Sequence, residues 1–353
     1  MDTPRDSLTD VPGFRVGHAG VGGVGALSGT TVVLAPPGGA VAGVAVRGGG
    51  PGTRETDALD PENVVERIDA VVLTGGSAYG LDAVGGVMAW LEEQGRGVRV
   101  GPEPYQVVPV VPAACLFDLG RGGDWRARPD ASVGRAAAQA AGSAGPEAAE
   151  GNVGAGTGAV VGGIKGGVGT ASVRLASGAT VAALAVVNAV GSPIDPLTGI
   201  LYGEYGGRGE YGTRSPQPPP TATHLAAQAR IAQARERMGL PPLNTTLAVV
   251  ATDAPLSRPQ ARKLAGTSHD GLARAIRPVH LMHDGDTVFA LATGTHGANG
   301  GAAPGPLSAA ELNHVLAAGA DVVARAVVRG VRAATSVEGP GGTFPSYRDL
   351  YGS

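Results

Sequence analysis

A candidate nucleophile stands in the tripeptide Asn244-Thr245-Thr246, which leads directly into the apolar run 247–251. If the chain is cut between Asn244 and Thr245, Thr245 becomes a free amino terminus. Its hydroxyl and its own α-amine then lie on one residue, which combines a nucleophile with a base. Threonine is also common at the start of a strand, because β-branching suits the pleat and the hydroxyl can cap a turn. The nucleophile hypothesis therefore depends on partners elsewhere in the chain.

Two carboxylates are candidates to hold the new terminus. Asp284 and Asp286 flank Gly285, and two acids in this spacing can hold an ammonium group between them. The alternative is purely local, because Asp-Gly is a favoured hairpin turn and Asp286 could cap it. From the residues alone, both interpretations stay open.

A lysine and an asparagine could supply the remaining chemistry. Lys165 lies in the glycine-dense segment 151–170, and Asn188 stands at the end of the apolar run 181–187. A lysine among glycines is commonly a surface residue, but a buried one would be desolvated and would lower the pKa of a neighbouring amine. Asn188 is either a turn residue or, through its side-chain amide, a donor to a developing oxyanion.

Three other motifs lack the context that their chemistry needs. Segment 75–79 resembles the nucleophile elbow of a hydrolase, but Tyr79 stands where the final glycine belongs. Segment 154–159 has dinucleotide-binding spacing without a strand before it. His280 and His283 are metal-ligand types, yet this spacing on a strand points the two rings to opposite faces. We therefore expect neither a metal nor an organic cofactor.

The composition of the chain argues against nucleic-acid-binding, secreted and membrane-spanning proteins. With a net charge of −3 and 16% charged residues over 353 residues, the chain lacks the basic surface of a nucleic-acid-binding protein. Cys115 is the only cysteine, which suits a reducing compartment. The first residues lack the basic and apolar regions of a signal peptide, and glycines interrupt the apolar runs before roughly 18 residues. We expect a cytoplasmic protein with no membrane partner.

The elements that must position these residues are short and bounded mostly by glycine, proline or polar residues. Predicted strands cover 30–34, 41–46, 70–73, 107–111, 171–175, 180–187, 246–251, 279–282 and 287–291, the last two forming a hairpin around 283–286. Predicted helices cover 81–93, 133–141 with Ser132 as N-cap, 223–238, a segment that begins after Ser257, and a last helix to Ala333 that opens with the capping box Ser308-x-x-Glu311. Segment 206–220 is the clearest loop. This mixed order predicts an α+β fold built in layers.

Taken together, these residues resemble the P1 family of N-terminal-nucleophile hydrolases, which includes L-aminopeptidase/D-esterases, β-peptidyl aminopeptidases and nylon-oligomer hydrolases. The resemblance covers almost the whole chain and is carried by LTDVPGFRVGH (8–18), LTGGSAYGL (73–81), GNVGAGTG (151–158), NTT (244–246) and DGD (284–286). It implies a layered αββα sandwich, related to that of self-cleaving ornithine acetyltransferases, in a single domain over 1–353. It also implies cleavage into fragments 1–244 and 245–353, which assemble as a tetramer of cleaved units.

Within this family, the nylon-oligomer hydrolases are similar at the decisive positions. The resemblance implies self-cleavage between Asn244 and Thr245. It also implies five catalytic residues: Lys165, Asn188, Thr245, Asp284 and Asp286. Aminopeptidase members typically carry a serine nucleophile, so Thr245 favours the oligoamide hydrolases. One position departs from them, since their tyrosine before an aspartate is Phe117 here, before Asp118, and its phenolic hydroxyl is missing.

The expected function is a self-processing amide hydrolase acting on small peptides, amino-acid amides or aminohexanoate-type oligoamides. One alternative is an aminopeptidase with strict amino-terminal specificity. Another is acyl transfer of the ornithine-acetyltransferase type, although the Thr-Ser-Thr-Asn-Asp signature of those enzymes is absent. A non-catalytic binding protein is the third, and retention of all five candidate residues argues against it.

Overall fold

The computed structural model describes residues 5–205, 217–237, 243–297 and 305–352. Most of the predicted loop 206–220, and the predicted helix end at Met238, lie outside the described residues. The strands are β1 (Arg15–Gly20), β2 (Gly29–Leu34), β3 (Val41–Val46), β4 (Gly52–Arg54), β5 (Ala70–Thr74), β6 (Val98–Arg99), β7 (Val107–Val108), β8 (Ala113–Cys115), β9 (Val160–Val161), β10 (Ile164–Lys165), β11 (Val168–Arg174), β12 (Thr180–Val186), β13 (Leu247–Thr252), β14 (Thr287–Ala292), β15 (Val337–Gly339) and β16 (Gly342–Phe344). The helices are α1 (Ala83–Glu93), α2 (Ala131–Ser143), α3 (Thr221–Arg237), α4 (Arg258–Ala275), α5 (Ala309–Ala333) and α6 (Tyr347–Tyr351).

Two five-stranded sheets form the centre of the fold. The first has the strand order β1-β2-β5-β8-β4, and the second has the order β11-β12-β13-β14-β3. Apolar side chains of α1 and α2 pack on the outer face of the first sheet, and those of α4 and α5 pack on the outer face of the second. A third apolar cluster joins the inner faces of the two sheets. The layers therefore run helix, sheet, sheet, helix, and the predicted α+β sandwich is confirmed.

Strand β13 illustrates why the central strands are apolar on both faces. All six of its residues are buried. Ala248 and Val250 belong to the cluster beneath α4 and α5, whereas Leu247, Val249 and Ala251 belong to the cluster between the sheets. Successive side chains of a strand point to opposite faces, so a strand covered on both sides is apolar along most of its length.

Local capping signals are confirmed at two helices. Ser257 caps α4 in a capping box with Gln260, and Ser308 caps α5 in a capping box with Glu311. Each hydroxyl accepts a bond from an N–H of the first turn that has no partner within the helix. Among the helices that the structure describes, none is long and apolar enough to span a membrane.

The predicted cap of α2 is wrong, and so is the length of one strand. Asp130, not Ser132, is the N-cap of α2, because its carboxylate accepts from the backbone N–H groups of Ser132 and Val133. A carboxylate is an equally good cap and carries the charge that the positive end of a helix favours. The strand predicted over 107–111 is limited to β7, which pairs only with β6.

The predicted hairpin around 283–286 is also wrong. Strand β14 forms, but no strand forms over 279–282. β14 pairs in parallel with β13 on one side and antiparallel with β3 on the other. Both hydrogen-bonding edges of β14 are therefore occupied, which leaves no edge for a hairpin partner. Segment 281–286 instead makes a turn that leads into β14.

Adjacent glycines in α1 provide a test of the close packing between α1 and α2. A Cβ on Gly86 would lie 1.7 Å from the backbone oxygen of Ala131, whereas a Cβ on Gly85 would meet nothing within 4 Å. We expect Gly86→Ala to lower the free energy of unfolding by about 1–3 kcal/mol through overpacking. Gly85→Ala, its matched control on the exposed face, should raise it by about 0.5–1 kcal/mol because glycine is a poor helix former. Urea unfolding measures both, and equal effects would contradict the packing.

Candidate active site

One edge of the second sheet carries the candidate catalytic residues. β13 and β14 are parallel and in register, with Leu247 opposite Thr287, so both strands begin at this edge. β12 is antiparallel to β13 and ends there, and β11 begins there beside the end of β12. The segments that flank these strand ends contain all five candidates: Lys165, Asn188, Thr245, Asp284 and Asp286.

The first sheet presents a second set of polar residues to the same region. β5 and β8 are parallel, with Thr74 opposite Cys115, and the chain after β8 carries Asp118 and Arg121. Arg121 donates one hydrogen bond to Asn188 Oδ1 at 2.5 Å. The site is therefore formed where the edges of the two sheets meet.

Thr245 is buried and its hydroxyl lies against the bond that precedes it. Thr245 Oγ1 donates to the backbone oxygen of Asn244 at 2.6 Å, and the N–H of Gly285 donates to Thr245 Oγ1 at 3.1 Å. A Cβ on Gly285 would lie 2.8 Å from Thr245 Oγ1, so only glycine allows this close approach. The hydroxyl oxygen is thus held near the Asn244 carbonyl. The N–H of Gly285 is placed to stabilise the negative charge that Oγ1 would gain on losing its proton.

Arg121 fixes the orientation of the Asn188 amide. Asn188 Oδ1 accepts from Arg121 Nη1 and, at 3.0 Å, from the N–H of Val160. Because Oδ1 accepts both of these bonds, Nδ2 is the donor end of the amide, and it donates to the backbone oxygen of Phe117 at 3.4 Å. Because that bond is long, Nδ2 remains able to donate to another oxygen.

Lys165 is fully buried beneath the glycine-dense segment. Its Nζ donates to the backbone oxygens of Gly156, Ala159 and Gly166 at 2.9, 2.9 and 2.7 Å. Burial and, to a smaller extent, the charge of Arg121 lower the pKa of Lys165 to about 7, and the charge of Asp118 opposes that shift. Lys165 is therefore the desolvated lysine that the buried interpretation requires, not a surface residue.

Asp118 is a buried carboxyl group that interacts electrostatically with Arg121 and Lys165. Its Oδ1 accepts from the N–H of Gly76 at 2.7 Å. Burial raises the pKa of Asp118 to about 6, although the charges of Arg121 and Lys165 oppose that shift. Three ionisable groups thus share one dry region, and each one's charge depends on the others.

The two aspartates are anchored by different partners. Asp284 accepts from the N–H groups of Val190 at 3.3 Å and Leu281 at 3.2 Å. Its pKa is raised, first by burial and then by the charge of Asp286. Asp286 Oδ1 accepts from the N–H of Thr246 at 2.7 Å. Among the hydrogen bonds that these two carboxylates make within the described residues, the one that comes nearest to Thr245 is this bond between Asp286 and Thr246.

His280 orients Asp286 and was considered in the sequence only as a metal-ligand type. Its Nδ1 bonds Asp286 Oδ2 at 2.8 Å, and its ring packs edge-on against His269 at a centroid distance of 4.8 Å. The backbone of His280 has φ +60°, a strained conformation that such sites often carry. Over the described ranges, no three His, Cys, Asp or Glu residues are grouped to hold a metal ion.

Sequence reasoning missed Arg121, which bonds across the site. Besides Asn188 it contacts the Gly158 oxygen at 2.6 Å through Nη1 and Asn244 Oδ1 at 2.6 Å through Nη2. The one available signal was a charged residue close after Phe117, the position that departs from the nylon-oligomer hydrolases. Phe117 itself contributes its backbone oxygen, while its ring packs edge-on against Trp125.

Comparison with known proteins assigns this architecture to a family. Residues 6–344 match the profile of peptidase family S58. An uncharacterized aminopeptidase of Mycobacterium bovis is 48% identical over 98% of each chain. A 6-aminohexanoate-oligomer endohydrolase of a Kocuria species is 31% identical over 82% of this chain and 76% of its own length.

Solved structures agree on the fold. The L-aminopeptidase D-Ala-esterase/amidase of Ochrobactrum anthropi, described as a variant of the Ntn-hydrolase fold, superposes with a TM-score of 0.70 at 22% identity, over 99% of this chain and 93% of the other. A β-aminopeptidase of a Burkholderia species superposes with a TM-score of 0.68 at 24% identity, over 99% and 93% of the two chains. The profile match over nearly the whole chain and the near relatives give one conclusion: this chain is a peptidase of family S58.

Proposed function

We propose that this chain is a self-processing amide hydrolase that cuts itself between Asn244 and Thr245 and then uses Thr245 as its N-terminal nucleophile. The observation that carries the proposal is the buried contact of Thr245 Oγ1 with the Asn244 carbonyl oxygen at 2.6 Å. A hydroxyl in this position needs little motion to reach the adjacent carbonyl carbon, and such pre-positioning removes much of the entropic barrier of attack. The same hydroxyl then serves both self-cleavage and turnover.

Self-cleavage begins when Thr245 Oγ1 attacks the Asn244 carbonyl carbon. The Asn244–Thr245 C–N bond breaks, the nitrogen gains the proton that the hydroxyl loses, and an ester joins Asn244 to Thr245 Oγ1. Water then hydrolyses the ester, which leaves a carboxylate on Asn244 and a free amine and hydroxyl on Thr245. The N–H of Gly285, 3.1 Å from Oγ1, stabilises the oxygen as it loses its proton.

Turnover uses the amine that self-cleavage releases. The α-amine of Thr245, with an intrinsic pKa of roughly 7.7–8.0, accepts the hydroxyl proton as Oγ1 attacks the substrate carbonyl carbon. The substrate C–N bond then breaks, the leaving nitrogen takes that proton from the ammonium, and water hydrolyses the acyl-enzyme to release the acid and free Oγ1. The charge of Lys165 lowers the pKa of this amine, which keeps part of it neutral near pH 7. Asn188 Nδ2 donates to the oxyanion, an interaction that contributes roughly 3 kcal/mol to lowering the barrier. Asp284 and Asp286 orient the new terminus.

The substrate class that we propose is small peptides, amino-acid amides and aminohexanoate-type oligoamides. The aminopeptidase name of the 48% identical relative supports peptides and amino-acid amides as substrates. The oligomer endohydrolase name of the 31% identical relative supports aminohexanoate-type oligoamides. The proposed chemistry uses no metal or organic cofactor. A cytoplasmic tetramer of cleaved units is a further part of the proposal, and it rests on composition and on the family resemblance.

Intact-mass measurement and amino-terminal sequencing of the purified wild-type protein test the proposal. We expect two fragments that correspond to 1–244 and 245–353, the second beginning Thr-Thr-Leu-Ala. The same preparation should hydrolyse members of a panel of aminoacyl p-nitroanilides and aminohexanoate oligomers. Active material that consists of one unbroken polypeptide would rule out the N-terminal nucleophile. Acetyl transfer from acetylornithine to glutamate without hydrolysis would favour the acyltransferase alternative.

A further inference from the structure

We propose that Arg121 recognises the acyl part of the substrate, and that the mature enzyme prefers acyl residues with a carboxamide or carboxylate where the Asn244 side chain now lies. Within the proposed substrate class, the favoured members would be amides of L-asparagine and L-aspartate, whereas aminohexanoate oligomers, which offer no such group, would be poorer substrates. The inference rests on the proposed self-cleavage, because Asn244 is then the first acyl group that the enzyme handles.

Self-cleavage and turnover pass through the same kind of intermediate. The ester formed in self-cleavage joins the Asn244 carbonyl carbon to Thr245 Oγ1. An acyl-enzyme formed from substrate joins the substrate carbonyl carbon to the same oxygen, and water hydrolyses both. Since the acyl carbon occupies one position in both esters, the side chain next to it must occupy one region. The surroundings of the Asn244 side chain therefore describe the acyl-binding site.

Three contacts define that site around a buried Asn244. Asn244 Oδ1 accepts from Arg121 Nη2 at 2.6 Å, the Asn244 N–H donates to the His283 oxygen at 3.2 Å, and the Asn244 carbonyl oxygen faces Thr245 Oγ1 at 2.6 Å. A substrate would place its amino nitrogen on the His283 oxygen and its side-chain oxygen on Arg121. These contacts fix three substituents of the Cα atom: the nitrogen, the side chain and the carbonyl group. An L residue can make all three contacts at once, whereas a D residue cannot.

Arg121 is held in place without help from Asn244. Its Nη1 donates to the Gly158 oxygen at 2.6 Å and to Asn188 Oδ1 at 2.5 Å. Burial lowers the pKa of Arg121 to about 10, so the guanidinium stays charged at neutral pH. When Asn244 leaves after self-cleavage, Nη2 becomes a buried charged donor that needs a new acceptor. A substrate that offers none leaves it unpaired, and sites of this kind reject such analogues strongly.

Leucine is the informative competitor because its side chain has nearly the shape of asparagine but lacks the hydrogen-bonding atoms. We expect kcat/KM of the wild-type enzyme for L-asparaginyl p-nitroanilide to exceed that for the L-leucyl compound by about 100-fold or more. The L-aspartyl compound should also exceed leucyl, and the D-asparaginyl compound should be poor. Cleaved enzyme that hydrolyses leucyl as fast as asparaginyl substrate overturns the inference and leaves the proposed function standing. An uncut, inactive protein overturns both.

Substitution of Arg121 separates recognition from general support of the site. Because Arg121 also orients Asn188, Arg121→Met should slow every substrate, but the ratio of asparaginyl to leucyl kcat/KM cancels that common loss. We expect the ratio to fall close to 1. Arg235→Met is the matched control, since Arg235 donates to the Gly162 oxygen in the same glycine-dense segment, and its ratio should equal that of the wild type. If the ratio of asparaginyl to leucyl kcat/KM in Arg121→Met equals that of the wild type, Arg121 supports the structure of the site and does not recognise the substrate.

The rate of self-cleavage gives a second measurement that needs no added substrate. Asn244→Leu removes the acceptor of Arg121 Nη2, and we expect the precursor to be cut at least about 10-fold more slowly. Asn244→Asp retains an oxygen in the same place and should be cut at a rate closer to the wild type. Gel densitometry over time after refolding measures both rates. Equal rates for Asn244→Leu and wild type would contradict recognition of this side chain by Arg121.

Discussion

Thr245→Ala is expected to remain a single 353-residue polypeptide on a denaturing gel and to lose amidase activity by a factor on the order of 10⁶. The substitution removes the only atom proposed to attack either carbonyl, so neither the ester of self-cleavage nor the acyl-enzyme can form. The uncut chain also lacks the free amine that would act as base. Activity is measured on an aminoacyl p-nitroanilide, and chain length by gel and mass spectrometry.

Thr245→Ser is the matched control because it keeps the hydroxyl and removes only a methyl group. We expect it to be cut and to retain measurable turnover. Thermal unfolding of both variants separates loss of the nucleophile from loss of the fold. If Thr245→Ala still separates into two pieces at this position, self-processing by this residue is wrong.

Lys165→Met is expected to lower kcat by roughly 10²–10⁴-fold and to move the pH optimum upward. In the proposed mature enzyme, the fraction of Lys165 that is charged at and below about pH 7 would disfavour protonation of the Thr245 amine and so keep more of that amine neutral there. Without this charge the amine stays protonated to a higher pH, and a protonated amine cannot accept the hydroxyl proton. The measurement is kcat/KM against pH between about 5 and 10. An unchanged profile would contradict the assigned role.

The same variant has a stability effect whose sign follows from the pKa of Lys165. Burial lowers the pKa of this lysine to about 7 in the folded chain, whereas an unfolded lysine titrates near roughly 10.4. Between these values the unfolded chain binds more protons, so this group's contribution to the free energy of unfolding rises with pH and is lost as pH falls through 7. The difference between wild type and Lys165→Met should therefore increase from pH 7 to pH 10. A flat difference would indicate an unshifted lysine.

Short-range features of this chain were predictable from its sequence. The caps at Ser257 and Ser308 depend on partners three residues away, and β3 depends on one apolar run between glycines. The mixed order of strands and helices predicted a layered α+β fold. The resemblance to the N-terminal-nucleophile hydrolases implied the αββα arrangement of those layers. The hairpin at 283–286 failed because its turn chemistry is local, while the partners of β14 are distant strands.

The chemical types of the candidate residues were also evident in the sequence, but their association was not. The segments that carry Lys165, Asn188 and Thr245 lie at one edge of the second sheet because β11, β12 and β13 are neighbours in it. A different strand order would keep each residue type and separate the three segments. Nothing in the local pattern around any of them specifies which strands pair.

Arg121 shows most clearly what only the tertiary structure decided. Its hydrogen bonds reach Asn188, 67 residues away, and Asn244, 123 residues away. The sequence determined which segments form strands and helices and which side chains can carry charge, because those properties depend on neighbours within a few positions. The meeting of the two sheet edges decided that Arg121 is buried beside Asn244, since burial and pairing of a charge depend on residues that are adjacent only after folding.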